Sequence, residues 1–401
     1  MAKSESIWNR QFVHILLIEW CLQFGIYTTT PIASNYAVAL GAGIGLAGLL
    51  AGLNSTCSLV LRPFMGWITD NLAKKSLLLL SGILFVLSGF GCALAPNVEL
   101  MGFFRAVQGA AFAFKSVILI SFASFVVPKS MVGSAAGTFT IGSTLASALA
   151  PTVGTEVGKA FGFSASFACA GAFFLCGLVL ILFLKAPAEV LKVEEERVAK
   201  RAAMTPEERK FKFSFKDFFY IPAFIPSVLG GLTSLCYGII ATFLIMVSTE
   251  RGIEGASVFF LAYSACAFFT KPAAGKLLDK KGYAFIMPPA LVIQALCPIV
   301  LVFANNFIMI AIAGAIFGTG HAVAYSSSSA YAAKMGRENP EAAGRAMNTF
   351  YVVPDIGMGL GPMVGGFVYQ LLGANAMFGF VLAVTIFDLV LSLVLKASKK
   401  I

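Results

Sequence analysis

The chain has 401 residues, of which 58% are hydrophobic and only 12% are charged. Soluble domains carry roughly 25% charged residues, so the composition excludes an ordinary water-soluble protein and indicates a chain that lies in a lipid bilayer. The formal net charge of +10 leaves two explanations open, a nucleic-acid partner or a basic face beside the membrane.

Twelve apolar segments are each long enough to cross a bilayer, because a transmembrane helix takes about 20 mostly apolar residues. They fall into two sets of six. The first set lies near 12–33, 44–69, 76–94, 99–126, 131–157 and 161–184. The second set lies near 221–248, 256–278, 283–303, 307–333, 343–372 and 375–395. The sequence therefore predicts an all-α integral membrane protein with twelve transmembrane helices.

The positions of the basic residues decide between the two explanations of the net charge. With the N-terminus assigned to the cytoplasm, all but six of the 29 Lys and Arg residues fall on the cytoplasmic side of the predicted spans. Basic residues at span ends mark the cytoplasmic side of a membrane protein. We therefore expect a multi-pass protein of the cell (inner) membrane with both termini in the cytoplasm, and no nucleic-acid partner.

Two short patterns in the first half of the chain recur in the second half. The pattern Arg-Pro-x-x-Gly-x-x-x-Asp at 62–70 recurs as Lys-Pro-x-x-Gly-x-x-x-Asp at 271–279, which is 209 residues later. Pro-Thr-Val-Gly at 151–154 recurs as Pro-Met-Val-Gly at 362–365, which is 211 residues later. Such a repeat predicts two parallel six-helix halves with a site near the midplane between them. The predicted domains are an N-terminal bundle at 1–184, a charged cytoplasmic linker at 185–220 and a C-terminal bundle at 221–401.

Three motifs carry a resemblance to a known family. The loop at 66–75 reads Gly-Trp-Ile-Thr-Asp-Asn-Leu-Ala-Lys-Lys and resembles the motif Gly-x-x-x-Asp-Arg-x-Gly-Arg-Arg/Lys of the major facilitator superfamily, with Asn71 and Ala73 in place of its Arg and Gly. Arg-Ala-Val-Gln-Gly at 105–109 resembles the family motif Arg-x-x-Gln-Gly, which is associated with proton coupling. The Gly-Pro-rich segment 357–366 is similar to a motif of proton-driven exporters, where it normally lies in the fifth span.

This resemblance implies the major facilitator fold, in which two pseudo-symmetric six-helix bundles surround a central cavity. It also implies a likeness to bacterial proton-coupled drug and small-molecule antiporters. Small residues let helices approach closely and proline can bend a helix, so the motif positions are candidates for gating or conformational change. These candidates are Gly66, Asp70, Lys75, Gly275, Asp279, Gly361, Pro362 and Gly365.

Ionisable side chains within the predicted spans are candidates for function, because each costs about 2.5–3.5 kcal/mol at the centre of a span on insertion scales. The group comprises Glu19, Arg62, Arg105, Lys115, Lys271, His321, Asp355 and Asp388. As candidates for substrate binding or proton coupling we select Glu19, Arg105, Gln108, Lys115, His321 and Asp355.

Each of the central candidates has two interpretations. His321 either carries the transported proton with Asp355 as its partner, or is a neutral histidine that is hydrogen-bonded within the bundle. Asp355 itself serves either coupling and substrate contact or a structural ion pair. Glu19 has two candidate ion-pair partners, Lys115 and Arg105.

The remaining charges in the spans are expected to be structural. Arg62 and Lys271 occupy equivalent positions in the repeat, near the inner face, which favours side chains that reach the interface or anchor a loop. Asp388 lies on the last, peripheral span and is the least promising candidate.

The motifs that are missing exclude several enzyme classes. The sequence has no P-loop, and its two histidines lie far from any metal-ligand spacing, so we expect no enzyme activity, no metal and no cofactor. The leading hypothesis is a secondary active transporter that moves a small organic molecule by alternating access, as a proton-coupled antiporter, with export favoured. One alternative is uptake or exchange of an organic anion, which would follow if Lys115, Arg105 and also Lys271 face a shared cavity. The other alternative is a non-transporting membrane sensor. We expect a monomer whose partners are the lipid bilayer, its substrate and protons.

Overall fold

The computed structural model describes residues 8–127, 132–187, 191, 196, 219–338 and 343–398. Within these ranges the chain forms thirteen α-helices and no strand. The helices of the N-terminal half are α1 (Arg10–Thr29), α2 (Ala33–Ala39), α3 (Ile44–Asn71), α4 (Lys74–Ala93), α5 (Val98–Phe125), α6 (Val132–Phe161) and α7 (Phe163–Phe183). Those of the C-terminal half are α8 (Phe224–Glu250), α9 (Val258–Lys281), α10 (Tyr283–Phe303), α11 (Phe307–Glu338), α12 (Ala343–Leu372) and α13 (Ala374–Ala397). Most of the predicted linker lies outside the described residues.

Twelve of these helices are long, and α2 is the exception. Within the described part of the chain, eleven of the long helices have the length and composition of a membrane span. The twelfth, α6, is 30 residues long but less apolar because Gly, Ser and Thr recur along it. Large apolar side chains such as Phe103, Phe183 and Phe269 are exposed on the outside of the bundle, where lipid replaces water. The prediction of an all-α membrane protein with twelve transmembrane helices is confirmed.

The first span is shorter than predicted. It was expected to continue to residue 33, but α1 ends at Thr29 and the separate helix α2 begins at Ala33. Pro31 explains the break, because proline has no backbone N–H to donate to the preceding turn and its ring clashes with the carbonyl four residues earlier. The hydroxyls of Thr28 and Thr30 donate to the carbonyl oxygens of Phe24 and Ile26, at 2.8 and 3.0 Å, and so satisfy part of the last turn.

The repeat seen in the sequence is also present in the turns and in the packing. Gly162 links α6 to α7 and Gly373 links α12 to α13, each with a positive φ of 88° and 86° that glycine adopts without strain; the two positions are 211 residues apart. The halves meet where α3 packs on α12 and where α6 packs on α9. Since α3 corresponds to α9 and α6 to α12, the two contacts are related by the same pseudo-symmetry.

The direction of the spans defines two faces of the bundle. Because successive long helices alternate in direction, the start of α1 and the end of α13 lie on one face, here called the terminal face. The N-terminal end of α3 and the C-terminal end of α12 lie on the opposite face. At that opposite face the Gly45 backbone N–H donates to Gln370 Oε1 at 2.9 Å, and the Ser34 hydroxyl donates to the Thr242 carbonyl oxygen at 2.8 Å. Both bonds join the two halves.

Glycine lets α12 pack closely between α3 of the other half and α8 of its own half. A Cβ atom built at Gly52 of α3 would overlap the carbonyl oxygen of Gly359. On the other side of α12, a Cβ at Gly361 would approach the Leu235 carbonyl oxygen to 3.0 Å. Backbones that approach this closely pack well without a hydrophobic driving force between helices.

The predicted gating residues differ in what surrounds them. Pro362 and Gly365 contact α3 and α8 in the same interface, because the Pro362 carbonyl lies against Gly48 and a Cβ at Gly365 would meet Ile239 at 2.8 Å. Gly275 has open space where a Cβ would be, so close packing does not require its glycine. Lys75 lies in the first turn of α4 and is partly exposed. The surroundings of Gly66, Asp70 and Asp279 lie outside the described part of the structure, and a gating role for the whole group stays a prediction.

Replacing Gly52 with Ala is expected to destabilise the closed opposite face. The added methyl group overlaps backbone that cannot rotate away, and overpacking of this kind costs about 1–3 kcal/mol. Thermal unfolding of the purified protein should therefore begin at a lower temperature. Gly379→Ala is the matched control, because a Cβ at Gly379 meets no atom within 4 Å and alanine is the better helix former. Equal midpoints for the two variants would contradict the packing described here.

Candidate functional site

A cavity of about 270 Å³ lies between the two halves. Residues from both halves line it, and most carry hydroxyl groups, aromatic rings or a charge. Its walls comprise Tyr27, Ser55, Phe112, Ser143, Thr144, Ser147, Ser234, Tyr237, Tyr263, Ala267, Lys271, His321, Tyr325, Pro354, Asp355 and Met358. The hydroxyls of Ser147 and Ser264 lie 3.1 Å apart and join α6 to α9 beside it. Small-molecule sites have this character, an apolar and aromatic lining with a few polar groups that fix orientation.

A second cavity of about 110 Å³ adjoins the first. The two share Tyr27, Ser55, Phe112, Tyr237 and Met358 in their walls. The second cavity is also lined by residues near the opposite face, among them Ala51 and Pro362 of the glycine-rich contact between α3 and α12. The two cavities therefore adjoin along the boundary between the halves, and the close contact of α3 with α12 lies at one end of them.

An ion pair crosses the boundary at the wall of the larger cavity. Arg62 Nε of α3 contacts Asp355 Oδ2 of α12, and each side chain is 16% exposed. The Arg62 guanidinium also lies over the Tyr351 ring, 5.3 Å from its centre. The prediction of a snorkelling or loop-anchoring Arg62 is therefore wrong, because its guanidinium is held inside the bundle by a carboxylate of the other half.

His321 belongs to an aromatic cluster and not to the ion pair. Its Nδ1 lies 2.9 Å from the Tyr263 hydroxyl, and its ring stacks on Tyr237 and Phe317 with centroid distances of 5.1 and 5.0 Å. The hypothesis that His321 and Asp355 are partners is wrong for this structure, because Arg62 occupies the carboxylate. Of the two interpretations of His321, the arrangement matches the histidine that is hydrogen-bonded within its own bundle.

Lys271 is the cation of the larger cavity. It is partly buried and lines the cavity with its side chain. Among the described residues it has no carboxylate or other hydrogen-bond partner. The expectation that Lys271 reaches the inner face is therefore corrected, since its side chain borders the internal cavity.

The Arg-x-x-Gln motif forms a clamp within the N-terminal half. Arg105 donates from Nη1 to Gln108 Oε1 at 2.6 Å and from Nη2 to the Ala51 carbonyl oxygen at 2.6 Å. Its Nε donates to the Leu50 carbonyl oxygen at 3.2 Å. Arg105 thus holds α5 against α3 and borders the smaller cavity, while Gln108 supports it and lines neither cavity.

Glu19 and Lys115 form a buried ion pair between α1 and α5. Lys115 Nζ lies 2.8 Å from Glu19 Oε1, and the two side chains are 2% and 5% exposed. Of the two partners considered for Glu19, the structure pairs it with Lys115. Neither residue lines either cavity, so the placement of Lys115 in a shared cavity with Arg105 is wrong.

The sequence analysis missed the tyrosines of the cavity. Tyr27, Tyr237, Tyr263 and Tyr325 all contribute to its wall. A signal was present, because each tyrosine lies inside an apolar segment where its hydroxyl needs a partner or a wet surface. Tyrosine carries no charge at neutral pH and none of these four lies in the recognised motifs, so they were not among the predicted site residues.

An all-helical membrane protein whose repeat-related halves enclose a polar cavity is a membrane transporter in architecture. A sequence profile of the Major Facilitator Superfamily matches residues 15–353 and 227–400. The chain belongs to this superfamily, and it is a transporter of small molecules and not an enzyme. The resemblance in the loop, Arg-x-x-Gln-Gly and Gly-Pro motifs is thereby confirmed at the level of the family.

Known relatives are similar over most of their length. The chain is 23% identical over 376 residues to the multi-drug resistance efflux pump PmrA of Streptococcus pneumoniae serotype 4. The aligned region covers 90% of this chain and 91% of that protein. It is 24% identical over 360 residues to the multidrug resistance protein MdtG of Enterobacter lignolyticus, which covers 86% and 81%. In fold it is similar to a bacterial homologue of the human lysosomal transporter Spinster, with a TM-score of 0.78, 15% identity and coverage of 97% and 96%.

Single and double replacements test whether Glu19 and Lys115 stabilise the bundle as a pair. Removing one partner of a buried ion pair costs about 3–5 kcal/mol, whereas replacing both by neutral groups is often nearly neutral. Glu19→Gln and Lys115→Met should each lower the midpoint of thermal unfolding, and the double variant should recover most of the loss. A double variant whose loss equals the sum of the two single losses would show that the residues act independently.

Proposed function

We propose that the chain is a proton-coupled antiporter that exports a small organic molecule by alternating access. The observation that carries the proposal is the Arg62–Asp355 ion pair, which joins the two halves at the wall of the central cavity. A carboxylate in this position can exchange a proton with water in the cavity, and its charge controls a contact between the halves. Ionisable groups inside a membrane bundle commonly mark such proton pathways.

The contacts between the halves support one conformation of the transport cycle. The halves are joined at the opposite face through α3 and α12 and through the Ser34–Thr242 bond, and the larger cavity lies on the terminal side of this contact. We assign the terminal face to the cytoplasm, from the distribution of Lys and Arg. In this assignment the structure corresponds to a conformation closed toward the outside, in a protein of the inner membrane that acts as a monomer.

The ion pair supplies a mechanism for coupling. With Asp355 ionised, Arg62 holds α3 to α12 and the cavity faces the cytoplasm, ready for the substrate. When the carboxylate takes up a proton from the outside, its charge is lost and the attraction to Arg62 weakens. The proton then leaves on the cytoplasmic side as the pair forms again. Binding a proton and binding the substrate therefore favour different conformations, which is the condition for exchange.

The direction of transport is supported by the relatives. PmrA is an efflux pump and MdtG a multidrug resistance protein by name, and we extend export to this chain on that likeness. Uptake or exchange of an organic anion is the second candidate, which the unpaired Lys271 in the cavity favours. A membrane sensor that binds without transport is the third.

Asp355→Asn is expected to uncouple transport from the pH gradient. Purified protein in proteoliposomes is given a substrate found by a thermal-shift screen of drugs, sugars, amino acids and carboxylates, since a bound ligand stabilises the folded protein. For one proton exchanged per substrate, one pH unit supports about tenfold accumulation, because it corresponds to about 1.36 kcal/mol. The variant should lose this accumulation but retain exchange of labelled for unlabelled substrate.

Asp388→Asn is the matched control for this experiment. Asp388 is also a buried carboxylate of the C-terminal half, but it accepts a bond from the Thr233 hydroxyl at 3.2 Å and lines neither cavity. Its variant should accumulate substrate as the wild type does. Undiminished accumulation by Asp355→Asn would remove Asp355 from the coupling mechanism, and binding without flux under any gradient would favour the sensor.

A further inference from the structure

We propose that Lys271 is the anchor for the carboxylate of the cargo, and that the cargo is an aromatic monocarboxylate whose ring packs against the Tyr237–His321 wall. This inference rests on the proposed transport function and names its substrate class.

The charges around the cavity leave Lys271 without a counter-ion. Arg62 is neutralised by Asp355 across the boundary, and Lys115 is neutralised by Glu19 away from the cavity. Three of the five N–H donors of Arg105 are bound to neutral oxygens of Gln108, Leu50 and Ala51, and Arg105 lines only the smaller cavity. Lys271 is the cation of the cavity wall that has no partner among the described residues. An ammonium group in such surroundings is stabilised by an anion that enters the cavity.

The repeat explains why this lysine is unpaired. Lys271 is the counterpart of Arg62, displaced by 209 residues, and the counterpart of Asp355 at the 211-residue displacement is Thr144. Lys271 and Thr144 both line the larger cavity, on the helix pair α9 and α6 that corresponds to α3 and α12. The contact between α9 and α6 therefore keeps a cation, Lys271. It has Thr144 at the position where the contact between α3 and α12 has the carboxylate of Asp355. A carboxylate of the substrate would complete this second pair.

The surface beside Lys271 favours an aromatic body for the anion. The His321 ring stacks on Tyr237 at 24° and on Phe317 at 16° between ring planes, and Tyr325 continues the stack at 10°. Tyr237, His321 and Tyr325 all border the cavity. A row of near-parallel rings offers faces and edges on which another aromatic ring packs with offset or edge-to-face geometry. Ser234 and Ser147 add hydroxyl oxygens to the same wall, and each hydroxyl donates to a carbonyl oxygen of its own helix, at Gly230 and Thr144.

The first experiment measures which charge class binds the full-length protein in detergent or nanodiscs. The probes are benzoate, salicylate, phenylacetate, indole-3-acetate and 1-naphthoate, each with its primary amide, together with benzylammonium and tryptammonium ions. Thermal stabilisation and equilibrium binding should favour carboxylates over the matching amides. Stabilisation by none of the carboxylates, or by amides and ammonium ions equally well, would overturn the assignment.

Variants at both repeat-related positions test the role of Lys271. Lys271→Gln should weaken binding of the best carboxylate by about 10- to 100-fold, the usual effect of removing a hydrogen bond to a charged group. Lys271→Arg should retain more affinity than Lys271→Gln. Thr144→Asp should weaken binding clearly more than Thr144→Asn does, because the new carboxylate competes for the ammonium and the two variants have similar size but differ in charge.

A surface control and an independent readout keep the outcomes distinct. Lys159→Gln, at the exposed Glu156–Lys159 pair, should leave carboxylate affinity unchanged. If Thr144→Asp does not fold, the comparison of Lys271→Gln with Lys271→Arg decides, and equal affinity in these two variants overturns the proposal. Lys271-dependent carboxylate binding without flux would refute the transport function and leave the binding site standing. Flux of neutral or cationic compounds without such binding would refute the site and leave transport standing.

Discussion

Moving a charged side chain from water into a membrane-spanning bundle costs free energy. The charged side chains inside this bundle offset that cost in different ways. Glu19 and Lys115 are buried against each other within one half. Within the described part of the chain, Arg105 has no carboxylate partner and is held by backbone and amide oxygens. Arg62 finds its counter-ion in the other half, at Asp355. A pair within one half can persist while the halves move, so it contributes to stability, whereas a pair across the boundary changes whenever the halves separate.

The cross-boundary pair acts on helices that are already in close contact. Along α3 and α12, glycine places backbone against backbone toward the opposite face, and the ion pair lies on the same two helices farther toward the terminal face. The first contact depends on shape and does not respond to pH. The second depends on the charges of Arg62 and Asp355. In the proposed mechanism, protonation of Asp355 weakens this second contact while the first still joins the helices.

The sequence was a better guide to the architecture than to the ion-pair partner of each charged residue. Hydropathy and the spacing of the repeated motifs predicted the twelve helices and the two halves, because both depend on local composition and on symmetry. The end of α1 was missed because the effect of Pro31 was outweighed by the apolar residues after it. The partner of Asp355 was also missed, since Arg62 was placed near the inner face and only the packed structure shows that its guanidinium reaches the carboxylate. The cavity tyrosines were overlooked because they carry no charge at neutral pH and lie outside the recognised motifs.

The same repeat that defines the fold also shows where the two halves have diverged. The contacts of α3 with α12 and of α9 with α6 are equivalent by symmetry, yet one carries Arg and Asp while the other carries Lys and Thr. A symmetric pair of ion pairs would hold both boundaries closed by charge and leave no cation for a ligand. Because position 144 is a threonine, no ion pair of this kind joins the described residues of α9 and α6. The ammonium group of Lys271 therefore has no anionic partner among the described residues. In the proposed mechanism, cargo binds at one boundary and a proton at the other, so the two binding events occur on equivalent helices and each can bias the position of the two halves.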